Sequence, residues 1–155
     1  MTFAAINGLK LYYERHGDSG DPLVFVHGYT GDVSDWRLQV EEFAGDFRVL
    51  IMDLRGHGRS EAPSDHLAYG VSLMTQDVEA LVEAVGFERY HLVGHSMGGA
   101  MAQEIALKTP ENLLSLTLED TALKFNLQPE DPSFQFRAQR LQIALQVGLN
   151  VAGEP

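Results

Sequence analysis

One short motif in the sequence has the residue types and spacing of a nucleophilic centre: Gly94-His95-Ser96-Met97-Gly98. An apolar run over residues 90–93 precedes it, and a helix-like run over residues 99–108 follows. A serine in a sharp turn between a strand and a helix takes a strained backbone conformation, and only small residues fit two positions before and after it. Such a turn exposes the hydroxyl at a helix N-terminus, whose dipole favours developing negative charge. The motif predicts a nucleophilic Ser96; the alternative is a glycine-rich turn with an incidental serine.

Two other loops follow apolar runs. Residues 23–26 lead into His27-Gly28-Tyr29, and residues 48–52 lead into a polar loop over residues 53–60. Continuous apolar, β-branched runs are typical of buried parallel strands. The sequence therefore predicts that both loops follow the carboxyl ends of such strands.

These motifs, in this order, resemble those of the α/β-hydrolase family, and the resemblance covers residues 2–125. By motif, the chain is similar to serine carboxylesterases, cofactor-free haloperoxidases, enol-lactonases and C–C bond hydrolases. The resemblance implies that Ser96 is the nucleophile and that the N–H groups of Tyr29 and Met97 form the oxyanion hole. It also implies a framework around the site, made of His27, Gly28, Gly94, His95 and Gly98. Trp36 either lines the substrate pocket or packs in the core.

The chain departs from the family at the general base. The triad of the family runs serine, acid, histidine in chain order, and none of the six histidines follows Ser96. A serine hydroxyl is a poor nucleophile near neutral pH without a base to take its proton. Asp120, after a predicted buried strand over residues 114–118, is the one candidate acid, although in most relatives the acid comes one strand later. We therefore expect an incomplete triad.

The predicted fold class is α/β: a truncated α/β-hydrolase fold with a mostly parallel sheet of about six strands flanked by helices, plus a cap-like helix near the C-terminus. By resemblance a whole member needs roughly 250 residues. Residues 1–125 would then be the N-terminal half, and residues 126–155 the start of a cap, with a helix over 133–149 used in packing or dimerisation.

Local signals predict several individual elements. Asn7-Gly8 predicts a hairpin turn, and residues 34–43 predict a helix. Ser72 is expected to be the N-cap of a second helix that ends before Gly86.

Composition narrows the possible partners. The formal charge of −11 argues against binding to nucleic acid or an anionic membrane surface. The chain has no cysteine, and its histidines and carboxylates are not clustered at ligand spacing, so we expect no metal and no cofactor. The N-terminus lacks the pattern of a signal peptide, and no apolar run approaches membrane-span length, so we expect a cytoplasmic protein.

Two functions from different classes remain open. The first is a serine hydrolase for small ester-like substrates, whose activity is weak or depends on a partner. The second is a non-catalytic half-domain that acts in assembly or binding, or a fragment of a split or truncated hydrolase. In either case we expect a homodimer or a complementary half-domain, because the sheet would end on a hydrophobic edge strand.

Overall fold

A computed structural model describes residues 2–122 of the 155-residue chain. Their strands are β1 (Thr2–Ile6), β2 (Leu9–His16), β3 (Pro22–Val26), β4 (Arg48–Met52), β5 (Tyr90–His95) and β6 (Leu113–Glu119). The helices are α1 (Arg37–Phe43), α2 (Val71–Ala84) and α3 (Met97–Lys108), with short 3-10 turns at Val33–Trp36, His66–Ala68 and Pro110–Asn112.

The strands form one six-stranded sheet in the order β1-β2-β4-β3-β5-β6. The first two strands are antiparallel, and β2 also pairs antiparallel with β4. The pairs β4–β3, β3–β5 and β5–β6 are all parallel. The predicted hairpin is confirmed: Asn7 and Gly8 both have positive φ, 49° and 81°, as a two-residue hairpin turn requires. The predicted, mostly parallel sheet is likewise confirmed.

Apolar side chains cover both faces of the sheet. On one face α2 and α3 pack over a core that includes Val24, Leu50, Leu92 and Met101. On the other face α1 covers β3 and β4, where Phe25 lies against Trp36. Strands β3 and β4 are buried on both faces, which explains why each is a continuous apolar run without alternation.

Three local predictions need correction. The helix expected over residues 34–43 begins as a 3-10 turn capped by the Asp32 side chain, and regular α-helix starts only at Arg37. Ser72 is not an N-cap, because α2 already begins at Val71 after Gly70; the Ser72 hydroxyl instead donates to Glu104 on α3, at 3.2 Å. The strand predicted as buried over residues 114–118 is β6, which is exposed from Ser115 to Glu119.

The cap-like helix expected over residues 133–149, and the segment 126–155 that contains it, lie outside the described residues. None of the helices within residues 2–122 is long and apolar enough to cross a membrane.

Candidate active site

The loops that carry the candidate residues leave the same edge of the sheet. Strands β3, β5 and β6 are parallel neighbours, so their carboxyl ends lie side by side. The loop after β3 begins at His27, the loop after β5 is Ser96, and the loop after β6 begins at Asp120. In open α/β sheets this edge is where ligands bind.

Ser96 forms the whole connection between β5 and α3, with φ 51° and ψ −110°. A non-glycine residue in this left-handed region costs about 1–3 kcal/mol and persists only where its surroundings enforce it. The glycines on either side of Ser96 show how the surroundings enforce this conformation. A Cβ on Gly94 would lie 2.8 Å from the Cβ of Ala102, and one on Gly98 would lie 2.7 Å from the carbonyl oxygen of His27. The helix and the strands therefore approach each other only because both positions lack a side chain.

The loop after β3 lies against the serine. A Cβ on Gly28 would be 3.1 Å from the Cβ of Ser96 and 2.9 Å from Nδ1 of His95. The N–H of Gly31 donates to the carbonyl oxygen of Gly28, at 3.2 Å, and closes a turn around Tyr29. Within residues 2–122 the Tyr29 N–H donates to no other residue.

Met97 is the first residue of α3, so its N–H has no acceptor within the helix. The Tyr29 N–H therefore lies on the loop after β3 that contacts Ser96, and the Met97 N–H directly follows Ser96 at the start of α3. An oxyanion hole uses two backbone donors of this kind.

His27 is fully buried, and both of its ring nitrogens are occupied. Nε2 accepts from the Leu54 N–H at 3.1 Å, so Nδ1 carries the proton and donates to the carbonyl oxygen of Gly28 at 2.8 Å. Burial lowers the pKa of His27, because the charged form would lose its hydration. A neutral imidazole with no free nitrogen cannot serve as the base for Ser96, and it joins the loops after β3 and β4 instead.

The loop after β4 is held by buried polar groups. Asp53 accepts from the N–H groups of Val33 and Arg59, each at 2.8 Å. Arg55 forms a bidentate ion pair with Asp77 on α2, at 2.5 and 2.7 Å, and the strong hydrogen bond raises the pKa of the Arg55 guanidinium. These contacts show that Asp53 and Arg55 stabilise the loop after β4.

His57 differs from the other residues of this loop. Its Nδ1 donates to the carbonyl oxygen of Arg55 at 3.0 Å. The ring centroid lies 5.2 Å from that of His27 and 6.1 Å from that of Tyr29. Among the described residues, Nε2 of His57 makes no hydrogen bond.

Asp120 lies at the end of β6 with φ 43°, between two residues that contact the backbone of Ser96. The Ser96 N–H donates to the carbonyl oxygen of Glu119 at 2.9 Å, and the Thr121 hydroxyl donates to the carbonyl oxygen of Ser96 at 2.8 Å. The sequence analysis named Asp120 as a candidate acid of the site but did not identify Thr121. The signal that could have found it is its position two residues beyond β6, at the ligand-binding edge of the sheet.

Trp36 lies in the core between α1 and the sheet. It is 3% exposed, and its ring centroid is 4.8 Å from that of Phe25. This placement favours the core interpretation of Trp36 over a role in a substrate pocket. Within residues 2–122, no group of three histidine or carboxylate side chains is placed to hold a metal ion.

Comparison with known proteins agrees with this geometry. Residues 21–150 match the family described as the alpha/beta hydrolase fold. Over 111 residues the chain is 34% identical to epoxide hydrolase 4 of Mus musculus, covering 71% of this chain and 31% of that protein. It is 35% identical over 125 residues to a fluoroacetate dehalogenase of Burkholderia sp, covering 79% of this chain and 41% of that protein.

Among solved structures, the enol-lactonase from Burkholderia xenovorans LB400 matches with a TM-score of 0.83 and 29% identity. That match covers 97% of this chain and 56% of the other. The strand order, the serine turn and the family match together define the class, and the chain belongs to the α/β-hydrolase family. The chain spans less than half the length of the two curated relatives named above.

Proposed function

We propose that this chain carries the nucleophile and the oxyanion hole of a serine hydrolase that cleaves carboxylic esters. The observation that carries the proposal is the left-handed backbone of Ser96 at the β5–α3 turn, in contact with the Gly28 loop. Such strain is retained where function needs it. The enol-lactonase that the chain resembles acts, by its name, on a lactone, which is a cyclic ester.

In this proposal the Ser96 oxygen attacks the ester carbonyl carbon while its proton passes to a general base, and the negative charge moves to the carbonyl oxygen. The N–H groups of Tyr29 and Met97 hold that oxygen, a contribution worth about 100- to 1,000-fold in rate per donor. The protonated base gives that proton to the leaving alcohol as its C–O bond breaks, and the same base then takes a proton from the water that hydrolyses the acyl-serine to the free acid. Asp120 is the proposed acid, because the residues on both sides of it contact Ser96.

The base is the missing group. No histidine follows Ser96 in the sequence, and His27 has no free nitrogen. We propose that the histidine comes from polypeptide other than these 155 residues, so that the chain alone is a weak esterase. Catalysis of about 1,000-fold over water can survive the loss of triad members.

The test is hydrolysis of p-nitrophenyl acetate and labelling by a fluorophosphonate probe, followed by intact mass. We expect slow turnover and slow labelling, both abolished by Ser96→Ala and unchanged by Ser64→Ala, which alters an exposed loop serine. Absence of any Ser96-dependent labelling would contradict the hydrolase function. Turnover equal to that of a complete esterase would contradict the missing base, and His57→Gln would then show whether the free Nε2 supplies it.

A second candidate function is assembly, and the exposed edge of the sheet favours it. Within the described residues β6 pairs only with β5, and its Leu116 and Leu118 are each 37% exposed. On the α1 side, Val93, Ser115 and Thr117 line an open hollow of about 340 Å³. Unpaired strand edges and exposed apolar patches are the usual sites of association. We propose that a second copy of this chain, in a two-fold homodimer, covers this edge.

Light scattering at micromolar concentration tests the dimer. We expect twice the monomer mass, and we expect Leu116→Lys to shift the protein toward monomer by placing a charge on the edge strand. Leu67→Lys, at a 73% exposed leucine away from β6, is the matched control. A monomeric wild-type chain would refute the homodimer.

A further inference from the structure

Two residues at the end of β6 and in the turn after it, Glu119 and Thr121, hydrogen-bond to the backbone of Ser96. The Ser96 N–H donates to the carbonyl oxygen of Glu119 at 2.9 Å. The Thr121 hydroxyl donates to the Ser96 carbonyl oxygen at 2.8 Å. The N–H of Ala100 reaches the same carbonyl, at a longer 3.3 Å. Both backbone polar groups of the strained residue are therefore held by one short segment, residues 119–122.

This segment is itself fixed on α3. A Cβ on Gly99 would lie 2.5 Å from the Cβ of Thr121 and 2.6 Å from its hydroxyl oxygen. Any side chain at position 99 would thus push Thr121 away from Ser96. One turn further along the helix, Nε2 of Gln103 donates to the carbonyl oxygen of Ala122 at 3.1 Å. The second glycine of the Gly98-Gly99 pair makes room for a contact with the loop after β6.

We infer that Thr121 is a positioning residue for the nucleophile: its hydroxyl holds the Ser96 peptide in the left-handed conformation that presents the Ser96 oxygen to the substrate. This inference rests on the proposed function, in which Ser96 attacks the ester. The physical reason is that a strained backbone relaxes unless its surroundings over-determine it. The Thr121 hydroxyl adds a shorter hydrogen bond, at 2.8 Å, to the Ser96 carbonyl oxygen that the Ala100 N–H of α3 reaches at 3.3 Å. The same contact fixes Asp120, whose φ of 43° turns the chain between Glu119 and Thr121.

Three variants separate this role from general packing. Thr121→Val keeps the shape of the side chain and removes the donor, whereas Thr121→Ser keeps the donor. Thr2→Val makes the same chemical change at an exposed threonine of β1, at the opposite edge of the sheet. Two rates are measured for each at a temperature well below unfolding: hydrogen exchange of the Ser96 amide, and labelling of Ser96 by a fluorophosphonate.

We expect Thr121→Val to make hydrogen exchange of the Ser96 amide faster and fluorophosphonate labelling of Ser96 slower. Each rate should change by roughly fivefold to tenfold, the effect of one lost hydrogen bond. Thr121→Ser and Thr2→Val should remain within about twofold of the wild type in both rates. Equal exchange in Thr121→Val and Thr121→Ser would overturn the inference, whatever the labelling shows. If wild-type Ser96 is not labelled at all, the proposed hydrolase function fails, and the exchange rates still decide whether Thr121 holds the turn.

Discussion

The carbonyl oxygen of Val26 occupies the space that a side chain on Gly98 would need. Val26 is the last residue of β3, and Gly98 lies in the first turn of α3, so this contact sets how closely the helix approaches the sheet. Helix α3 can approach β3 this closely only because Gly98 has no Cβ. The position of Ser96 relative to the Gly28 loop depends on this close approach of α3 to β3.

Gly98→Ala should therefore destabilise the fold. Alanine has the higher helix propensity, but the clash with the backbone of β3 outweighs it, and overpacking typically costs about 1–3 kcal/mol. Urea unfolding measures the change. Gly45→Ala is the control, because nothing lies within 4 Å of a Cβ at that position, and it should be neutral or slightly stabilising. Equal midpoints for the two variants would show that α3 moves away at no cost.

Ser96→Gly should unfold at a higher urea concentration than Ser96→Ala, by about 1 kcal/mol in the free energy of unfolding. Both variants lose the hydroxyl, but only glycine accepts φ 51° and ψ −110° without strain. At the exposed Ser64, which has no positive φ, Ser64→Ala should instead be more stable than Ser64→Gly, because glycine adds entropy to the unfolded chain. The same order at both positions would mean that the turn is not strained in solution.

Asp77→Asn should cost about 3–5 kcal/mol of stability, because it leaves the buried Arg55 guanidinium without its counter-charge. The side chains of this pair are only 7% and 1% exposed. The matched control is Glu41→Gln, which removes the exposed partner of Arg37 and should change stability by no more than about 0.5 kcal/mol. Thermal unfolding of both variants measures the contrast, and a comparably small effect at Asp77 would refute the structural role of the pair.

The stability of the protein should fall as the pH falls below about 6.5, the ordinary pKa of histidine in the unfolded chain. Burial lowers the pKa of His27 in the folded state, so in this range the unfolded state binds more protons than the folded state. The stabilisation is complete above about pH 6.5 and decreases by up to about 1.4 kcal/mol per pH unit below it. Urea midpoints between pH 7.5 and 5.5 measure this slope.

His27→Gln should flatten that slope, whatever it does to stability at neutral pH. The control is His66→Gln, at an exposed histidine, which should retain the slope of the wild type. A slope that survives the loss of His27 would assign the pH dependence to another group.

The sequence by itself determined the features that depend on residues close together in the chain. Asn7-Gly8 specifies its hairpin because both residues accept positive φ. The apolar runs of β3 and β4 predict buried strands, because a strand covered on both faces cannot alternate. The glycines around Ser96 predict the turn between β5 and α3, and at Gly94 the reason is local, because a Cβ there would meet the backbone of Gly98 and the Cβ of Ala102.

The tertiary structure decided the contacts between distant segments. Ser72 has the residue type of an N-cap, but its hydroxyl donates to a glutamate on α3, and the N-cap of the helix is Gly70, two residues earlier. The residues of β6 are apolar enough for a buried strand, yet the sheet order leaves that strand at the edge within residues 2–122. The Thr121 hydroxyl meets Ser96 across 25 positions of sequence, and no local pattern encodes such a meeting. It exists because parallel strands bring their carboxyl ends to one edge, where the turn after β6 reaches the nucleophile.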